Sequence, residues 1–146
     1  MTERRKRASR SQYVDFYRIQ TRWHDNDVYG HVNNVVYYAM FDTAVNGWLV
    51  ERGLLDPRQS ESHGVVAETG CRYHAELSFP VWVTAGLRVA NLGNSSVRYE
   101  IGLFAEDDDL AAAEGFFVHV YVDRTTHRPV TIEAVRRAAL QTLMRS

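Results

Sequence analysis

The chain has 146 residues, enough for one domain with a core of its own. Hydrophobic residues make up 45% and charged residues 24%, the balance of an ordinary globular protein. A formal net charge of -1 gives no global drive toward nucleic acid or an anionic membrane, and no apolar run reaches the roughly 18 residues of a membrane span.

Residues 1–11 carry Arg4, Arg5, Lys6, Arg7 and Arg10 with no large apolar residue after Met1, so a basic flexible tail is expected, followed by a single domain over 12–146. The tail lacks the apolar stretch of a secretory signal. Cys71 is the one cysteine, so no disulfide can form within the chain and a reducing, cytoplasmic setting is expected. Tyr13 to Trp23 alternates well enough for a first strand. A polar loop runs to Asn34. From Val35 to about Arg52 the residues are apolar around most of a helical circumference, which predicts a buried helix. Asn33 or Asn34 can cap its start, and Gly53 stands where a helix stops.

Four period-two segments follow. Val65, Ala67, Thr69, Cys71, Tyr73, Ala75 and Leu77 share one face. Val81 to Val89 and Val97 to Leu103 alternate in the same way. Phe116, Val118, Val120 and Val122 close the set, with Phe117 and Tyr121 on the opposite side. Turn formers separate the segments, so the sheet is expected to be antiparallel. Thr131 to Met144 reads as a last helix. A strongly apolar helix needs a sheet to wrap it, and an α+β domain follows.

Asp27, His31 and Asn34 crowd the entrance of the apolar helix. A helix N-terminus presents unpaired N–H donors that can hold a developing oxyanion. Gly30 lets the backbone turn sharply. A carboxylate close by can attack a thioester carbonyl or activate water for the attack. The same residues are also what a helix cap requires, and spacing does not separate the two roles. Asp25, Asp27, His24 and His31 lack the spacing of a calcium or zinc site, so no metal is expected.

The run Arg22-Trp23-His24-Asp25-Asn26-Asp27-Val28-Tyr29-Gly30-His31-Val32-Asn33-Asn34 resembles the 4-hydroxybenzoyl-CoA thioesterase family, whose D-x-D-x-x-G segment leads into the central helix of a hotdog fold. The resemblance spans about Tyr13 to Arg128. It implies a five-stranded antiparallel sheet wrapped around a long helix, with Asp27 as nucleophile or general base and the backbone N–H of Asn34 as oxyanion donor. The run is also similar to the D-x-N-x-H-V-N-N segment of acyl carrier protein thioesterases; Asp27 and His31 match it, and Tyr29 replaces the Asn. The related Tol–Pal-linked thioesterases carry a His at the position of Asn34. Gly30 and Tyr29 are candidate substrate contacts beside Asp27. Glu68 and Thr69 fall on a strand that passes the site in hotdog folds, and Gly93-Asn94-Ser95-Ser96 with Arg98 resembles the family turn near coenzyme A. That turn lacks the basic cluster some members use for the phosphates; Arg98, Arg88 or Arg72 can substitute.

Asp42, inside the apolar helix, reads as a structural carboxylate facing a partner subunit. The expected activity is hydrolysis of an acyl thioester carried by coenzyme A or acyl carrier protein, with no cofactor beyond coenzyme A as part of the substrate. The expected assembly is a homodimer or homotetramer. A non-catalytic acyl-CoA-binding module and a hotdog hydratase or dehydratase are the alternatives.

Overall fold

In a computed structural model, residues 6–144 are described. The strands are β1 (Asp15–Gln20), β2 (Ser62–Tyr73), β3 (Trp82–Leu92), β4 (Ser96–Ala105) and β5 (Ala113–Asp123), and the helices are α1 (Asn34–Glu51) and α2 (Ala134–Gln141). The strands form one sheet in the order β1-β3-β4-β5-β2, and each pairing is antiparallel. This is the hotdog arrangement, with α1 lying across one face of the sheet. Among the described residues no helix is long and apolar enough to cross a membrane.

Helix α1 buries Tyr37, Met40, Phe41, Ala44, Val45, Trp48 and Leu49. The steps of three and four put these side chains on one face. Each large apolar side chain removed from water contributes about 2 kcal/mol. Phe41 meets Phe117 edge to face at 5.9 Å. A Cβ on Gly115 would stand 2.3 Å from the Phe41 ring, so only glycine lets α1 approach β5 there. Gly53, at φ 68, closes the helix: its N–H donates to the Val50 carbonyl while that of Leu54 donates to the Leu49 carbonyl. The opposite side of α1 is apolar too, but Val35 and Val50 there are exposed.

Several expectations need correction. The residues from Arg7 onward are docked, not free. Arg7 Nε donates to the Ala111 carbonyl at 2.9 Å, Arg10 Nη2 donates to the Ala105 carbonyl at 3.0 Å, and Ala8 is buried. Guanidinium forks satisfy loop carbonyls that charge counting reads as solvent. Residues 1–5 lie outside the described residues. Strand β1 is shorter than Tyr13 to Trp23, because Trp23–Asp25 is a 3-10 turn. The last helix covers eight residues, not Thr131 to Met144. The inner face of β5 carries Phe117, His119 and Tyr121, whereas Phe116, Val118 and Val120 are only partly buried. Strand β2 has a register shift between Val66 and Glu68, so Val65 pairs with outward-facing Val120 while Thr69 pairs with inward-facing Phe117. One extra residue reverses which side chains face the core, and the shared face from Val65 to Leu77 does not exist.

Candidate active site

The loop from β1 to α1 is held from several directions. Asp25 is buried; its Oδ2 accepts the Arg22 N–H at 2.7 Å, and its Oδ1 accepts Nη2 of the same arginine at 2.9 Å. The Asp25 carbonyl accepts the Asn33 N–H at 2.8 Å. Asn26 Oδ1 accepts the Phe79 N–H at 3.1 Å, and Ser78 Oγ donates to the Gly30 carbonyl at 2.9 Å. Between these anchors the chain reverses tightly. The Asp27 N–H donates to the His31 carbonyl at 2.8 Å, and Gly30 takes φ 81, where a side chain would be strained.

Asn33 caps α1, its Oδ1 accepting the Val35 N–H at 3.0 Å while its carbonyl accepts the Val36 N–H at 2.9 Å. The N–H of Asn34, at the first helical position, is left without a partner among the described residues, as helix geometry dictates for the first turn. The partial positive charge of the helix start adds to its pull on an anion.

A cleft of about 470 Å³ opens at this point, with Asp27, Tyr29, His31, Asn34, Tyr73 and Glu76 on its walls. Asp27 Oδ1 accepts the Tyr29 N–H at 2.9 Å, which fixes the carboxylate; Oδ2 has no partner among the described residues. His31 Nε2 stands 2.9 Å from Glu76 Oε2. The Tyr73 hydroxyl donates to the Asn34 carbonyl at 3.1 Å, and its ring meets Tyr37 edge to face at 4.9 Å. Burial raises the Tyr73 hydroxyl pKa, keeping it a neutral donor. Burial also pushes the Cys71 thiol up to about 11, so it is protonated at neutral pH and is a poor nucleophile. A second, more apolar groove of about 400 Å³, lined by Trp23, Asn26, Asp27, Val28 and Gly30, meets the first at Asp27.

Asp27, Tyr29, His31 and Asn34 therefore share one cleft, and Gly30 lines the groove beside it. The remaining candidates lie elsewhere in the chain. Glu68 is exposed on β2, and Thr69 Oγ1 donates to the Phe116 carbonyl at 2.9 Å. The Ser95 carbonyl accepts the Tyr121 N–H at 2.7 Å, and Ser96 opens β4 opposite Val120. The guanidinium of Arg98 lies over the Phe116 ring at 4.0 Å. Arg72, Arg88 and Arg98 line one cavity on the outer face of the sheet, where Arg88 Nε donates to Glu100 at 2.8 Å. Asp42 is exposed, and its Oδ1 accepts Nδ2 of Asn46 at 2.9 Å.

Glu76 and Tyr73 are the cleft residues that sequence reasoning missed as site groups. Tyr73 is the last residue of β2 and Glu76 lies just beyond it, far from His31 and Asn34 in sequence, and no local spacing connects them. The only available signal was the polar step His74-Ala75-Glu76 after an alternating strand. Among the described residues no group of three or more His, Cys, Asp or Glu is placed to hold a metal ion.

The model of the thioesterase-like superfamily matches residues 21–140. No curated protein matches the chain. Among solved structures, the chain is similar to the PA5185 protein of Pseudomonas aeruginosa at 55% identity, covering 96% of this chain and 98% of that one, with a TM-score of 0.93. It is similar at 27% identity to a thioesterase from Thermus thermophilus complexed with coenzyme A and zinc, covering 90% and 95% of the two chains, with a TM-score of 0.72. A 1,4-dihydroxy-2-naphthoyl-CoA thioesterase from Synechocystis shares the fold at 13% identity, over 86% of this chain and 94% of that one, with a TM-score of 0.78.

Proposed function

The chain belongs to the thioesterase-like superfamily, and from that premise we propose that it hydrolyses an acyl thioester, carried by coenzyme A or acyl carrier protein, with Asp27 as the reacting carboxylate. The observation that carries this reading is the meeting of two groups on one cleft: a carboxylate with one oxygen, and the Asn34 N–H, both without a partner among the described residues. The Asn34 N–H and the helix start hold the carbonyl oxygen as charge develops on it. Asp27 takes a proton from water as the hydroxyl adds to the carbonyl carbon, or adds to that carbon itself. In either route the tetrahedral intermediate then expels the thiolate as the C–S bond breaks; in the direct route this leaves a mixed anhydride on Asp27, which water hydrolyses to release the acid and restore the carboxylate. The thiolate takes up a proton, leaving free acid and thiol. His31, beside Glu76, stands where it can orient water or the carbonyl.

The assembly is part of the same proposal. Among the described residues strand β2 pairs only with β5, so its other edge is open, with Val65, Val66 and Ala67 exposed along it. An open apolar edge invites pairing with another strand. A second copy joined there, edge to edge, covers Val35 and Val50 of α1 as well. In that homodimer, or a tetramer built from it, Glu68, Thr69, Ser95, Ser96 and Arg98 serve the cleft of the neighbouring copy. A lone, protonated Cys71 accords with a cytoplasmic setting.

The test is thiol release from a panel of acyl-CoAs by the wild type beside Asp27→Ala. The expected loss in kcat is about a hundredfold to ten-thousandfold. Absent release across the panel, or undiminished release by the variant, refutes the mechanism. Binding without release indicates an acyl-CoA-binding module instead, and loss of an enoyl chromophore indicates a hydratase.

A further inference from the structure

A thioester has two arms, one on each side of the reacting carbonyl, and Asp27 stands where two grooves meet. We propose, resting on the thioesterase reading above, that the groove over Trp23 and Val28 receives the acyl arm, and that the arm is neutral and apolar.

The two grooves differ in chemistry. The larger is walled by Asp27, His31, Asn34, Tyr73 and Glu76, groups that hydrogen-bond water and the amides of a pantetheine arm. The smaller offers the indole of Trp23 and the side chain of Val28, with Gly30 leaving open space where a Cβ would stand. Trp23 is 77% exposed and Val28 93% exposed, and both apolar side chains line the one groove. Trp23 is nonetheless held in place: its ring meets Phe79 edge to face at 6.0 Å, and the Phe79 backbone is bonded to Asn26. A fixed, exposed indole beside a reacting carboxylate is a platform for an apolar group.

Charge narrows the class. Among the described residues of one copy no lysine or arginine lines either groove, while Asp27 and Glu76 supply two carboxylates. In the Trp23 groove an acyl group with a second carboxylate meets repulsion from Asp27, and the described lining of that groove supplies no counter-ion. The groove therefore favours short aliphatic or aryl acyl groups over dicarboxylic ones.

The experiment measures kcat/KM for acetyl-, hexanoyl-, benzoyl- and succinyl-CoA with wild type, Trp23→Ala, Trp23→Phe and Val28→Ser. In the wild type, hexanoyl- or benzoyl-CoA is expected to exceed succinyl-CoA. The hexanoyl-to-acetyl ratio is expected to fall about tenfold in Trp23→Ala, with a smaller fall in Val28→Ser and partial retention in Trp23→Phe. An unchanged ratio overturns the proposal, as does a preference for succinyl-CoA. Sedimentation of Trp23→Ala runs alongside, and dissociation of the assembly also overturns it, marking the surface as a subunit contact. Should the wild type hydrolyse none of the four, the thioesterase reading fails separately. Fluorescence then decides the groove. A blue shift on adding a hexanoyl-CoA thioether analogue, absent in Trp23→Phe, supports acyl docking, and no shift overturns it.

Discussion

Asp25 is buried with both carboxylate oxygens bonded to Arg22, whereas Asp27, two residues later, is half-buried and keeps one oxygen unpartnered on the cleft. Both sit in one loop before one helix, and both are residue types that cap helices. Asp25 organises the loop: its carboxylate closes the 3-10 turn and its carbonyl receives the Asn33 N–H, setting the angle at which α1 begins. Asp27 is held by that framework but is not consumed by it. A carboxylate with satisfied oxygens stabilises structure, and one with an unpartnered oxygen at a helix start has chemistry to offer.

His119 widens the contrast, because it is as buried as Asp25 yet its Nε2 has no partner among the described residues. Burial among Phe117, Tyr99 and Gly64 pushes its pKa down from 6.5 to about 4, against the opposing pull of Asp42. The fold therefore prefers the neutral ring. Below about pH 6.5 the unfolded chain takes up a proton that the folded one refuses until about pH 4, so stability falls as pH falls through that window. The loss attributable to His119 is about 3 kcal/mol. Denaturant unfolding at pH 7.5 and pH 4.5 checks it. The drop should be smaller in His119→Phe than in the wild type by about that amount, and equal drops would remove His119 as the cause.

Asp25→Ala comes next in size. It leaves the Arg22 N–H and the turn without their acceptor, at about 2 kcal/mol, or roughly 5 °C in Tm. Activity should fall with it, because the loop that carries Asp27 loses its anchor. An unchanged Tm would show that the 3-10 turn is held by its other bonds. The smallest effect belongs to Glu76→Gln. It removes a charge beside His31 without changing shape, and kcat should fall about threefold to tenfold at constant Tm. A fall in Tm with unchanged kcat would make Glu76 structural.

Much of the fold was legible in the sequence, because period-two strands, the buried helix, the Asn33 cap and Gly53 are written locally. The inner face of β5 was not, since His119 and Tyr121 disguise a core-facing row with polar atoms. The shift at Val66 and Glu68 inverts β2 although the extra residue, Ala67, is neither glycine nor proline. Arg7 and Arg10 read as a solvated tail because their acceptors, loop carbonyls near Ala105 and Ala111, lie about a hundred residues away in the chain. Within the site, Asp27, His31 and Asn34 came from one contiguous segment and share one cleft. Glu76 reaches His31 only through the fold.

The proposed chemistry belongs to Asp27 and not to its neighbour Asp25. The most direct measurement is kcat and Tm for Asp27→Asn, which keeps the Oδ1 acceptor for Tyr29 and removes the charge. The expected result is a Tm within about 1 °C of wild type, as for other partly exposed sites, with kcat reduced at least a hundredfold on the best acyl-CoA. A variant that keeps kcat near the wild-type value would contradict it.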